Sequence, residues 1–330
     1  MSIDLKGRNL LTLKDYTIEE IDYLLDLAQK LKEKKAAGIR GDLLDRKNIV
    51  LLFEKTSTRT RCAFEVACYD EGANVTFLDV KDTQIEKKES MEDTAKVLSR
   101  YYDGIEFRGF EHKTVEELAE YSEVPVWNGL TDLHHPTQVL ADFLTIKENI
   151  DKPFSDINLV YIGDGRNNVS NSLLIGAAKM GMNFTCISPK SLWPKEDFVE
   201  EMKSIGDKTG ANILITDEKE AVKDADVIYT DVWVSMGEEH LFIQRIKELQ
   251  DYRVDDELIE MTGNEDVIFL HCLPSFHDRN TIIGEDIYRK YGLDCMEVTD
   301  KVFRGKHSKV FDQAENRMHT IKAIMVATVK

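Results

Sequence analysis

The stretch Asn48-Ile49-Val50-Leu51-Leu52-Phe53-Glu54-Lys55-Thr56-Ser57-Thr58-Arg59-Thr60-Arg61 carries the fold class and the chemistry together. After Asn48 its first residues are apolar without alternation. The strand they form is therefore covered on both faces, as in a parallel sheet flanked by helices. The polar run that follows ends the strand, and Thr58–Glu71 reads as a helix. Free backbone N–H groups and the positive end of a helix dipole meet at such a junction and make a seat for an anion. Ser57, Thr58 and Thr60 add hydroxyls there, and Arg59 adds a planar fork suited to phosphate oxygens. Arg59 and Arg61 lie about 200° apart around a helix, so only one of them can face the anion. Arg59 is assigned to the ligand and Arg61 to a structural ion pair. The same letters also describe a Ser/Thr helix cap with solvated arginines, and S-T-R-T alone does not separate the two readings. The glycines of a P-loop are missing, which leaves nucleotide triphosphate hydrolysis unsupported.

Outward from this stretch the chain alternates strand and helix. Asn74–Asp79, Gly104–Arg108 and Val124–Asn128 read as further strands. Helices are predicted from about Thr17 to Lys35, from Ser90 with its capping partner Asp93, at Thr114–Tyr121 and at Thr137–Asn149. The polar, proline-containing stretch Asn149–Asp156 reads as a domain boundary. Beyond it, Asn158–Ile162, Asn183–Ile187, Asn212–Thr216, Val227–Thr230 and Val267–Leu270 are apolar runs of strand length. Asp312–Val329 reads as a helix that docks back on the first domain. The predicted architecture is α/β with two domains, residues 1–150 and 151–311, each a mainly parallel sheet flanked by helices, and with 312–330 returning to the first. Ligands are expected at the carboxyl ends of the strands and in the cleft between domains.

Composition narrows the partners. With 330 residues the chain exceeds what one core usually organises, and 42% apolar with 32% charged residues is the balance of a soluble globular protein. Forty-three Lys and Arg against sixty-one Asp and Glu give a net charge of −18, which repels a nucleic acid backbone. An anionic small substrate needs a local cluster of cations working against that field, so a concentrated set of Arg and His is informative. The longest apolar stretches are too short to span a bilayer, and the opening MSIDLKGRNLLTLKDY is broken by charges every few residues. No membrane association is expected, and the location expected is cytoplasmic. Five scattered cysteines without a C-x-x-C pair fit reduced thiols rather than disulfides or a metal site.

Four more segments follow predicted strands. His134-His135-Pro136-Thr137-Gln138 places a histidine and an amide at i and i+3 on a helix start, where both can polarise a carbonyl and hold an adjacent amide. His134 also fits a capping or core role. Asp231, followed by Val232-Trp233-Val234-Ser235-Met236-Gly237, puts an acid at a strand end before a glycine loop, suited to an ammonium group; alone it also reads as a solvated loop. In His271-Cys272-Leu273-Pro274 a cysteine stands at a strand edge, where nearby cations lower a thiol pKa. A zinc set of His271, Cys272 and His277 matches none of the usual structural spacings. Gly163-Asp164-Gly165-Arg166-Asn167-Asn168 imitates a dinucleotide fingerprint, but its last glycine position is Asn168 and Ile187 is followed by Ser188-Pro189 instead of a ribose-binding acid. No NAD site is expected.

Together, Glu54–Arg61, Phe107-Arg108-Gly109, His135–Gln138, Asp231 with Ser235-Met236-Gly237, and His271–Pro274 resemble the aspartate/ornithine carbamoyltransferase family in order and spacing, over nearly the whole chain. The S-M-G loop and H-C-L-P resemble its ornithine branch; the aspartate branch differs in the latter position and diamine-specific relatives lack the loop. The resemblance implies transfer of the carbamoyl group from carbamoyl phosphate to L-ornithine, giving L-citrulline and phosphate in arginine metabolism, with no cofactor and no metal. It implies that Ser57, Thr58, Arg59 and Thr60 bind the phosphate with Arg108 beside them, and that His135 and Gln138 hold the carbamoyl oxygen and amide. The backbone at Cys272 and Leu273 and the side chain of Arg317 complete that pocket. Asn167, Asp231, Ser235 and Met236 hold the amino acid end of ornithine, with Cys272 and Asp231 handling the proton. Gln84 is expected to reach a neighbouring subunit of a trimer. The alternative kept open is a carbamoyltransferase for another amine, such as putrescine.

Overall fold

The computed structural model describes residues 3–85, 87–234 and 238–330. They gather into two compact units, the chain up to Leu144 with Ala314–Lys330, and Thr145–Gln313. In the first, a capping box opens α1 (Ile18–Ala36): Thr17 Oγ1 accepts from Glu20 N, and the Glu20 carboxylate accepts from Thr17 N. Then follow β1 (Asn48–Phe53), α2 (Thr58–Asp70), β2 (Asn74–Asp79), α3 (Met91–Tyr101), β3 (Gly104–Arg108), α4 (His112–Tyr121), β4 (Val126–Leu130) and α5 (Pro136–Asn149). The four strands pair in parallel in the order β2-β1-β3-β4. Unbroken burial of Ile49–Phe53 is what the non-alternating sequence demands of a strand covered on both faces. Val50, Leu52, Ile105 and Phe107 meet Ala95, Leu98, Val115 and Leu118 of α3 and α4 in one core.

The second unit repeats the device with β5 (Asn158–Ile162), α6 (Asn168–Met180), β6 (Asn183–Ile187), α7 (Glu196–Thr209), β7 (Ile213–Thr216), β8 (Val227–Thr230), α8 (Phe242–Leu249), α9 (Asp256–Met261), β9 (Ile268–His271), α10 (Ile282–Tyr291) and α11 (Asp300–Phe303). Its sheet is also wholly parallel, ordered β7-β6-β5-β8-β9. The last helix, α12 (Val310–Thr328), lies on the first unit over most of its length. There Trp127 Nε1 donates to Thr328 Oγ1 at 3.0 Å, and the buried Lys322 ammonium meets Asp70 Oδ2 at 2.6 Å.

Element types follow the sequence reading, while edges shift. The strand expected at Val124–Asn128 is Val126–Leu130, and the helix expected from Thr114 begins at His112. By packing, the two compact units part within α5, ahead of the polar stretch Asn149–Asp156. Burial runs on through α5 from Val139 to Ile146, so composition carries no sign of where the packing changes.

Candidate active site

The order β2-β1-β3-β4 reverses direction between β1 and β3, and loops that leave a parallel sheet at such a point diverge to form a crevice. The segment after β1 turns directly into α2. Ser57 is its cap, Oγ accepting from Thr60 N at 3.2 Å, so the capping reading of this motif is correct as far as it goes. Thr60 is fully buried, and its Oγ1 accepts from Arg108 Nη1 at 3.4 Å and from Arg317 Nη2 at 2.9 Å. Arg317 Nη1 also donates to Gln138 Oε1 at 3.1 Å and faces His135 Nε2 at 3.4 Å. Gln138 Nε2 donates to Asp142 Oδ1 at 2.8 Å. Arg59 is half-buried, and its charge acts on His135 together with those of Arg317 and Arg108. Thr58 is exposed at the start of α2. Two guanidinium groups thus meet at Thr60, with the charge of a third acting on His135, in a chain of net charge −18.

Arg61 behaves as a surface residue, its Nε donating to Glu65 Oε1 at 2.8 Å and its guanidinium 3.8 Å from the Phe77 ring centre. Lys55 ties together the segments that follow β1, β3 and β4: its ammonium meets Asp132 Oδ1 at 2.5 Å and lies 4.2 Å from the Phe110 ring centre. Glu106 lies two residues before Arg108 on the same face of β3 and is fully buried beside it. Burial raises the Glu106 pKa well above its ordinary value against the pull of Arg108 and Arg317, which favours the protonated acid. A Cβ at Gly129 would run into that carboxyl, which is why the facing strand carries glycine there.

Burial, then Arg317, Arg108 and Arg59, push the His135 pKa well below its ordinary value. A neutral imidazole can polarise a carbonyl without adding a fourth cation to the seat. His112, His134 and His319 are also depressed mainly by burial, His134 to about 3. Each of the four takes up a proton in the unfolded chain below about pH 6.5 that the folded protein refuses. Stability therefore falls as pH drops from about 6.5 towards the folded values. Glu106 opposes with one proton that the folded state retains. The urea midpoint should fall as the pH drops from about 6.5 to 5. Equal midpoints at pH 7 and pH 5 would contradict these assignments.

In the second unit the sheet reverses between β5 and β8. Asn167 caps α6, Oδ1 accepting from Ser170 N at 2.8 Å, and its Nδ2 donates to Asp231 Oδ2 at 2.8 Å. Asp231 Oδ1 accepts from Val232 N at 2.8 Å and from the Cys272 thiol at 3.0 Å. The next residue, Leu273, has φ +57°, a left-handed conformation that costs a non-glycine residue about 1–2 kcal/mol. Its N–H donates to His271 Nδ1 at 2.9 Å, and His271 Nε2 faces Glu297 Oε1 at 3.3 Å. The same oxygen accepts from Ser275 Oγ at 2.8 Å and Phe276 N at 2.6 Å. Burial works against the Glu297 charge, but the bond to His271 and the backbone donors outweigh it and hold the pKa below the usual range. One fully buried carboxylate therefore keeps the strained turn in place.

Asp231, His271 and Cys272 place ligand atoms within 4.8 Å of one another. Both His271 nitrogens are already engaged, however, which leaves no lone pair for a metal in this arrangement. His277 lies elsewhere, stacked on Phe303 and bonded to Asp300 Oδ1 at 2.7 Å, so His271, Cys272 and His277 do not form a set. Ser235 and Met236 lie outside the described residues. Gln84 is exposed after β2, its carbonyl accepting from Lys88 N at 2.9 Å.

Two family models match the chain: the aspartate/ornithine carbamoyltransferase carbamoyl-P binding domain over residues 8–148, and the Asp/Orn binding domain over 155–328. The chain belongs to the aspartate/ornithine carbamoyltransferase family. It is 61% identical over 329 residues to the catabolic ornithine carbamoyltransferase of Bacillus licheniformis, covering 99% of this chain and 98% of the relative. Its identity to the catabolic enzyme of Clostridium perfringens strain 13 is also 61%, over 99% of both chains. The solved ornithine carbamoyltransferase of Pyrococcus furiosus superposes with TM-score 0.90 at 40% identity, over 99% of both chains. Within this family frame, reading the motifs missed Asp142, Glu106 and Glu297. Asp142 carried a signal, one helical turn beyond Gln138. Glu106 carried another, two residues from Arg108 on a strand face. Glu297 carried none, because only the fold brings it to His271.

Proposed function

We propose that this chain is an ornithine carbamoyltransferase, joining carbamoyl phosphate and L-ornithine into L-citrulline and phosphate by direct attack of the neutral side-chain amine. The observation that carries the reading is the seat formed by Thr60, Arg108, Arg317, Gln138 and neutral His135. Attack builds negative charge first on the carbamoyl oxygen and then on the departing phosphate. Arginines fixed in place before the reaction lower the barrier to both. Ser57, Thr58, Arg59 and Thr60 receive the phosphate in this reading, and His135, Gln138, Cys272 and Leu273 the carbamoyl group. Asn167, Asp231, Ser235 and Met236 receive the amino acid. No step needs a metal or cofactor.

The names of relatives at 61% identity favour the degradative branch of arginine metabolism. We read the protein as cytoplasmic; no described helix is long and apolar enough to cross a membrane, and the five cysteines are free thiols. We also read it as a homotrimer in which Gln84 serves a neighbouring site. Support comes from the edge strand β2, whose Val75, Phe77 and Leu78 are half-exposed, and from exposed Val66, Tyr69, Val97 and Tyr101 on α2 and α3. Light scattering after size exclusion should give three chains or a multiple of three.

A colorimetric citrulline assay tests the reaction. Carbamoyl phosphate with ornithine should give strong ureido product, while putrescine and lysine give little. Equal or greater product with putrescine would move the protein to the diamine alternative.

A further inference from the structure

We propose that Asp142 is a positioning residue that fixes which end of the Gln138 amide faces the carbamoyl group, and so lets the site tell carbamoyl phosphate from other acyl phosphates. The inference rests on the reading of Gln138 given above. Both residues are buried on α5, one turn apart, at 1% and 0% exposure. Gln138 Nε2 carries only donors, and it points at Asp142 Oδ1, 2.8 Å away. Gln138 Oε1 faces Arg317 Nη1 at 3.1 Å, and a guanidinium has no acceptor. The two neighbours therefore demand the same orientation from opposite ends, where an amide alone could turn either way.

The consequence is chemical. The Oε1 atom has two lone pairs, and Arg317 engages one of them. The second can accept from the NH2 of carbamoyl phosphate, the one feature that separates it from acetyl phosphate, which carries a methyl group there. A turned amide would set Nε2 against both the guanidinium and the substrate NH2, leaving donors facing donors. Asp142 thus acts through Gln138 and Arg317 on the discrimination of the acyl group. The rest of α5 around it, Val139, Leu140, Ala141, Phe143 and Leu144, is apolar and buried, so a carboxyl at this position needs a reason beyond packing.

The test is a cycle of Asp142→Ala, Gln138→Ala and the double variant, with Asp142→Leu as a second form that keeps the site filled. KM for carbamoyl phosphate and the inhibition constant for acetyl phosphate are read in each. Asp142→Ala should raise the first about ten-fold and leave the second unchanged. The double variant should be no worse than Gln138→Ala alone, because one acts through the other. Asp142→Asn, which keeps an acceptor oxygen, should recover part of the preference. If Gln138→Ala shows no loss, the reading of Gln138 fails and this inference with it. If Gln138→Ala is impaired while Asp142→Ala is not, or the two losses add, the role of Asp142 alone is overturned. Failure of both Asp142→Ala and Asp142→Leu to fold would likewise overturn it in favour of a purely structural role.

Discussion

Arg59→Ala should lower kcat/KM for carbamoyl phosphate on the order of 100–1,000-fold, the usual effect of deleting a fixed donor at a developing negative charge. The chain's net charge of −18 offers that charge no general help, whereas Arg108 and Arg317 donate to Thr60 and the charge of Arg59 acts with theirs on His135. Losing one of three concentrated cations weakens the seat far more than losing one of forty-three spread over the surface. Arg59→Lys should recover only part of the loss, since an ammonium keeps the charge without the planar fork. Arg61→Ala is the control two residues away. Its exposed pair with Glu65 and its contact with Phe77 predict about 1 kcal/mol of lost stability and little change in kcat/KM. The contrast is measured by steady-state kinetics beside urea unfolding. Near-normal citrulline formation by Arg59→Ala, or equal kinetic damage from Arg61→Ala, would remove Arg59 from the phosphate site.

That contrast was legible in the letters alone, because 200° of helical rotation separates residues two apart whatever the rest of the fold does. The strand-end motifs were legible for a similar reason. Continuous apolar runs declare buried parallel strands, and in such sheets the residues just past the strand carry the chemistry. What sequence could not supply is closure over long separations. Arg317 reaches Thr60 across 257 residues, and Glu297 reaches His271 across 26, through packing that no local pattern encodes. Nor could it choose between the capping and the binding role of Ser57: the hydroxyl caps α2, and capping is what aims the N–H groups of that turn. The two readings are compatible, since a cap that orders the turn also orders the N–H groups an anion would meet.

Asp231→Asn should lower kcat/KM for ornithine by roughly 100–1,000-fold while leaving KM for carbamoyl phosphate nearly unchanged. Asp231 takes three donors from its own surroundings: Asn167 Nδ2, Val232 N and the Cys272 thiol. An amide in its place must present an NH2 to at least one of them, and it has no charge for a substrate ammonium. The Cys272 thiol lies 3.0 Å from Asp231 Oδ1, so the two are placed to pass a proton between them. An amine with a pKa near 10.4 is neutral in only about one molecule in 2,500 at pH 7, so turnover at saturating substrates should rise between roughly pH 6.5 and 8.5. Cys272→Ser preserves a donor to Asp231, so it should keep that rise at a lower plateau. A rise that vanishes in Cys272→Ser would mean that the thiol is the titrating group. A flat profile in the unaltered protein would mean that deprotonating the amine does not limit turnover, and Asp231 would keep its hold on ornithine but lose its part in moving the proton.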